Sequence, residues 1–231
     1  MAIAFVQNLG NLSTGSATSL SGTFGSSTGS GNMIAIGSRI GATGRTVTGS
    51  DNKSNSYSQA KNQVQASDNH EGFAHYGLNI SGGASHQVTI SISGAAASIR
   101  MTLHEFSGIA LSSALDQVNG AEGISTALNS GNVTTTQADE LLFGVGTNGN
   151  ERTFTAGASY LNLVTSPSGG TAKEAGENQI VSSTGTYSAS FTIGTSDTWA
   201  CIIATFKGAV AATVAGKILI VGQAVKRAAF Y

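Results

Sequence analysis

The stretch Val88-Thr89-Ile90-Ser91-Ile92 decides the fold class. Three β-branched apolar residues alternate with two hydroxyl residues, the period-2 pattern of an antiparallel strand with one buried and one solvated face. Upstream lie an apolar run at 73–78 and the turn Ser81-Gly82-Gly83. Downstream, Ile99, Met101 and Leu103 alternate with Arg100, Thr102 and His104, so a second strand with a solvent face is expected. Further out towards the N-terminus, Met33-Ile34-Ala35-Ile36 is dense enough for a strand covered on both sides, entered through a Gly-rich turn at 25–31. The polar segment 46–65, anchored by Val47, Tyr57 and Val64, reads as loop plus an outer strand.

Towards the C-terminus, 111–130 reads as a helical turn or a long loop. Strand-like runs follow at 140–145, 153–155, 160–164 and 178–181. Tyr187, Ala189, Phe191 and Ile193 form an alternating stripe, and 199–206 is a buried strand. Asn148-Gly149 predicts a tight hairpin between its flanking runs, since both residues tolerate positive φ. The count is about twelve strands, enough for two packed sheets. The expectation is an all-β, antiparallel β-sandwich over 1–207, followed by an extension at 208–231 that is either an arm or a final strand. No strict repeat of 20–50 residues emerges.

Composition narrows the function classes. The 231 residues include 31 Gly, one Pro and one Cys. Charged residues make up 10%, against roughly 25% in an average globular protein, so the polar surface must come from Ser, Thr, Asn, Gln and Gly. Net charge is −1 with no Lys/Arg cluster, which argues against nucleic-acid binding. The N-terminus lacks the basic and apolar regions of a secretory signal. The best membrane-span candidate, 208–225, is barely long enough and contains Lys217 and Gln223, so no membrane span is expected.

The order of several motifs resembles a family of jelly-roll-like β-sandwich modules found in bacteriophage particle proteins and in bacterial surface or secreted proteins. The likeness runs through Phe5-Val6-Gln7, Gly31-Asn32-Met33-Ile34, Tyr57, Ile80-Ser81-Gly82-Gly83 and Val88-Thr89-Ile90. It continues through Glu105-Phe106-Ser107-Gly108, Thr134-Thr135-Thr136, Asp139-Glu140-Leu141-Leu142, Ser188-Ala189-Ser190-Phe191 and Trp199-Ala200. The resemblance implies a jelly-roll-like sandwich without catalytic residues or cofactor. The missing signal peptide, the missing neighbouring domain and the added tail favour a structural virion protein, on the head surface or, next, in a tail or fibre. A carbohydrate- or cell-surface-binding module, extracellular or at the cell surface, is the alternative.

Candidate chemical residues are few. A zinc site would need three or four ligands converging from His70, His75, His86 and His104 with neighbours such as Glu105, and strand alternation sends Glu105 to the face opposite His104. Asp51-Asn52-Lys53-Ser54-Asn55 offers oxygens in a turn but lacks EF-hand spacing, and Asx-rich turns usually cap their own backbone. Asp116, Asp139 and Glu140 give no evident paired-carboxylate geometry. Cys201, inside an apolar run, reads as a buried small hydrophobe. No metal, cofactor or catalytic set is therefore expected. Tyr57, Tyr76 and Tyr160 are the candidates for glycan stacking. Ile218, Leu219, Ile220, Val221, Phe230 and Tyr231 are the candidates for contact with another subunit or virion protein.

Overall fold

The computed structural model describes residues 2–167 and 172–210. Among them every helix or strand element is a strand, and all named pairings are antiparallel. The all-β class follows from the period-2 runs already noted. The described residues contain sixteen strands rather than about twelve. The surplus includes β10 (Val133–Thr134) and β15 (Thr186–Tyr187), which are too short to carry a period, whereas β12 (Phe154–Ala156) overlaps the run expected at 153–155.

One five-stranded sheet has the order β1 (Ala4–Ala17), β8 (Ala97–Ser107), β3 (Met33–Ile40), β6 (His70–Gly77), β5 (Ser58–Gln65). A three-stranded sheet, β2 (Ser19–Thr23), β7 (Gln87–Ile92), β4 (Val47–Asp51), covers one of its faces. Between them lies an apolar cluster that includes Ile34, Ile36, Phe73, Ile90, Ile99 and Leu103. A second large sheet, of six strands, runs β9 (Leu115–Asn129), β16 (Ser190–Lys207), β11 (Glu140–Asn148), β14 (Lys173–Val181), β13 (Leu161–Thr165), with β12 also paired to the start of β16. On its outer face Leu142, Phe154, Tyr160, Phe191 and Ile203 form another core, closed by β10, β12 and β15.

The two large sheets carry the same strand order, with each label advanced by eight. Pairing rows match as well. Phe5, Phe106 and Met33 lie side by side in the first sheet, and Leu115, Phe206 and Leu141 lie side by side in the second. In the outer layers, Leu20 pairs Ile90 and Val47 pairs Ile92, while Leu128 pairs Phe191 and Phe154 pairs Ile193. The two large sheets pack on each other around Met33, Ala35, Phe106, Phe143, Ile202 and Phe206. The chain therefore folds as four layers, with the interface between the halves at the centre.

This layering corrects three expectations. Thr102 and His104 do not face solvent; both are fully buried, because the second large sheet covers the face that alternation assigned to water. The segment 111–130 is neither helical turn nor long loop but mainly β9, which pairs with β16. Asn148-Gly149 does not close a hairpin between β11 and β12, since Phe154 pairs with Ile193 on β16. Strand β3 is buried along its whole length, as its density predicts.

Candidate functional site

Two loops at one end of the sandwich are tied down by matching contacts. Thr28 and Gly83 exchange backbone hydrogen bonds of 2.9–3.1 Å, and the Thr28 hydroxyl adds to the pair. In the second half, Thr135 N donates to Gly185 O at 3.0 Å, and Gly185 N donates to Thr135 Oγ1 at 3.1 Å. Next to each loop sits a buried carboxylate. Glu105 Oε1 on β8 accepts from Gly29 N (2.7 Å) and Asn32 Nδ2 (2.6 Å). Glu140 Oε1 on β11 accepts from Gln137 N at 3.3 Å. The acid comes from non-corresponding strands in the two halves but performs the same task, accepting a hydrogen bond from a backbone N–H in the turn before β3 or β11. Both turns pass through a left-handed residue, Gly31 (φ +82°) and Asp139 (φ +58°).

In the first half the loops carry a hydroxyl–imidazole–carboxylate chain. Thr28 Oγ1 lies 2.7 Å from His86 Nδ1, and His86 Nε2 lies 2.7 Å from Asp51 Oδ2. Asp51 also accepts from the Lys53 and Asn55 backbones, Asn55 Nδ2 and the Tyr57 hydroxyl. Burial would raise the Asp51 pKa, but these bonds, with those from Asn55 the strongest, bring it to about 2. The order of groups is that of a nucleophile relay. Thr28 is only 5% exposed, however, and its hydroxyl also engages the Gly83 backbone. The second half has the same Thr–Gly staple with no histidine, because all four His lie in the first half. The chain of bonds thus fastens the 51–55, 81–86 and 24–32 segments together.

A second polar set lies between the large sheets. Thr102 Oγ1 donates to Glu174 Oε1 at 2.8 Å. Burial pushes the Glu174 carboxyl up to about 8, so it is largely the neutral acid at pH 7. His104 is stacked on Phe106 (6.1 Å, 5°) and edge-on to Phe143 (5.1 Å), and burial holds it neutral with a pKa of about 3. Near the opposite end of the interface, His70 bridges Asp68 (2.8 Å) and Thr147 (3.0 Å), while Arg39 Nε donates to Asn148 O (2.8 Å). Burial, with Arg39 nearby, lowers His70 to about 4. In the outer core of the second half, burial raises Glu177 to about 8; its Oε2 accepts from Gly157 N.

The sequence-level candidates are spread among these sets. His70, His75, His86 and His104 each have separate surroundings, and no group of three or more His, Cys, Asp or Glu that could hold a metal occurs among the described residues. Glu105 and His104 face opposite sides of β8, as strand alternation requires. Cys201 is buried in the outer core of the second half, and burial raises its thiol well above the usual range. Asp116 and Glu140, whose spacing shows no evident pairing, lie together. Asp116 accepts from Thr136 and Lys207, and against its burial these bonds hold it at about 2, while burial and the neighbouring Asp116 raise Glu140. The position of Glu140, just before an apolar strand as Asn32 is, was the available signal.

The three tyrosines fall in three different clusters. Tyr57 packs beside the first-half core, Tyr76 stands edge-on to Phe206 between the sheets (5.1 Å), and Tyr160 is 7% exposed in the outer core of the second half. They form no common stacking platform. The subunit-contact candidates Ile218, Leu219, Ile220, Val221, Phe230 and Tyr231 lie outside the described residues.

Two grooves open at the loop end. One, of about 480 Å³, is lined by Ala2, Ile3, Ala138, Asp139, Ile180 and Val210, among others. The other, of about 310 Å³, is lined by Ser30, Gly31, Asn32, Gly108, Ile109 and Leu111, and Ala209 borders both. They occupy corresponding places in the two halves, on either side of the Ile109–Gly208 bridge. Side chains exposed there include Ile180 (43%), Leu111 (57%) and Val210 (82%). Comparison of the chain with protein-family models, curated proteins and solved structures returns no match.

Proposed function

We propose that the protein is a non-enzymatic structural component of a bacteriophage virion, placed on the head surface and acting through contacts at its loop end. The observation that carries the reading is the contrast between interior and grooves. Apart from Asp139, which is exposed in one groove, and the partly exposed Asp68, the groups capable of proton or acyl chemistry described above are buried and engaged in holding strands and loops. The grooves that open to solvent are lined largely by small and apolar residues and lie where the chain passes Val210. Such a surface suits protein–protein contact better than turnover. A hydroxyl- and amide-rich surface of low charge also gives little repulsion against close packing with neighbours. The apolar run Ile218-Leu219-Ile220-Val221 begins eight residues beyond Val210 and would supply the contacts by strand addition to a neighbouring subunit.

Truncation tests this role. The full chain and a chain ending at Val210 are compared by sedimentation velocity, alone and with purified particles, alongside their melting curves. The proposal expects the truncated chain to melt as before but to lose self-association or particle binding. Identical association by both chains, or an isolated full chain that neither self-associates nor binds particles, would overturn it.

A further inference from the structure

The centre of the molecule has the properties of a subunit interface. We propose that the chain is a fused two-fold pair, in which the inner face of each large sheet is a recognition surface for the other half, and that the halves on either side of 109–114 stay associated without that link. This does not depend on where the protein works.

Reciprocity is the first support. β1 packs over β13, and β5 packs over β9. Since β13 corresponds to β5 and β9 to β1, these are one contact made twice. Likewise β8 meets β14, β6 meets β16, and β3 meets β11 at the centre. A surface on which position i meets j and j meets i is isologous, the geometry of two-fold dimers. The matching pairing rows, loop staples and turn carboxylates extend the correspondence beyond strand order.

The chemistry of the face is the second support. Its centre is apolar, with Met33, Ala35, Phe106, Phe143, Ile202 and Phe206 fully buried or nearly so. Around that centre run hydrogen bonds from one half to the other: Thr102 to Glu174 (2.8 Å), His70 to Thr147 (3.0 Å), Arg39 to the Asn148 carbonyl (2.8 Å) and Asn8 to the Asn162 carbonyl (3.1 Å). An apolar centre with polar contacts around it is what separate partners use to recognise each other. The covalent connection is slight by comparison, and Leu111, Ser112 and Ser113 within it are exposed.

The test uses the full chain with a protease recognition sequence substituted at 111–113. After complete cleavage, native mass spectrometry and size exclusion at micromolar concentration should show the two fragments as a 1:1 complex eluting like the uncut protein. Its melting midpoint should rise with protein concentration more steeply than that of the uncut protein. In the cut protein, Phe143→Ala should raise the concentration at which the fragments part by at least tenfold. Fragments that separate or precipitate on cleavage, or a cut protein whose midpoint ignores concentration, would overturn the proposal.

Discussion

The sharpest prediction concerns the alkaline side of the stability profile. Burial raises both Glu174 and Glu177 from 4.5 to about 8. A carboxyl with a raised folded-state pKa binds its proton more tightly in the folded chain. Its contribution is therefore complete below about pH 4.5 and is lost as pH rises towards 8. At ~1.36 kcal/mol per unit, each group loses roughly 1.6 kcal/mol between pH 6.5 and 8, or about 3 kcal/mol for the pair. That is a large fraction of a typical stability of roughly 5–15 kcal/mol. Buried histidines work in the opposite sense. His104 and His70 are lowered from 6.5 to about 3 and 4, and His75 is lowered too, so their stabilisation is complete above pH 6.5 and is lost as pH falls. Stability should peak somewhat below pH 6.5, where the two opposing effects balance. The assay is urea unfolding at half-unit steps from pH 5 to 9, on the wild type, Glu174→Gln and Glu177→Gln. Each substitution should remove about half of the loss between pH 6.5 and 8. A wild-type profile that is flat or rising over that range, or an unchanged slope in both variants, would refute the reasoning.

Three further outcomes follow from the packing. Phe143→Ala, at the centre of the interface, should cost about 3–5 kcal/mol in denaturant unfolding, whereas Leu111→Ser on the exposed link should stay within about 0.5 kcal/mol. Gly37→Ala should destabilise by about 1–3 kcal/mol, because the added methyl would meet Glu174 Oε1 and sit 2.9 Å from Thr102 Oγ1; the same unfolding assay reads it. Cys201 should resist a thiol reagent until the chain is unfolded, since the sulfur is buried and its pKa raised, and rapid labelling of the native protein would contradict its place in the core.

The strands with a single apolar face were legible. Val88, Ile90 and Ile92 are buried as their alternation requires, and Phe191 and Ile193 likewise. What escaped was the layer above the layer. Thr102 and His104 carry a pattern meant for water in an isolated sandwich, and nothing local reveals that a sheet bearing Phe143 and Glu174 lies over them. Strand β9 escaped because Gly120 and Gly123 break its apolar pattern; those glycines admit Gln63 and Trp199, contacts that only the tertiary fold creates. The doubling left one local trace, Arg45-Thr46-Val47-Thr48 beside Arg152-Thr153-Phe154-Thr155. Its spacing of 107 residues lies far outside the 20–50-residue window in which short repeats are sought. Of the polar networks, the Asx turn at Asp51 was readable, whereas its link to His86 depends on strands distant in sequence.

The most direct test of the proposed role is to locate the chain in the particle itself. Purified, washed virions would be analysed by quantitative mass spectrometry and cryo-electron microscopy. The chain should be present at a fixed copy number relative to the major shell protein, with four-layered β-density at the head surface and the loop end turned towards a neighbour. Absence of the chain from washed particles would contradict the proposed role.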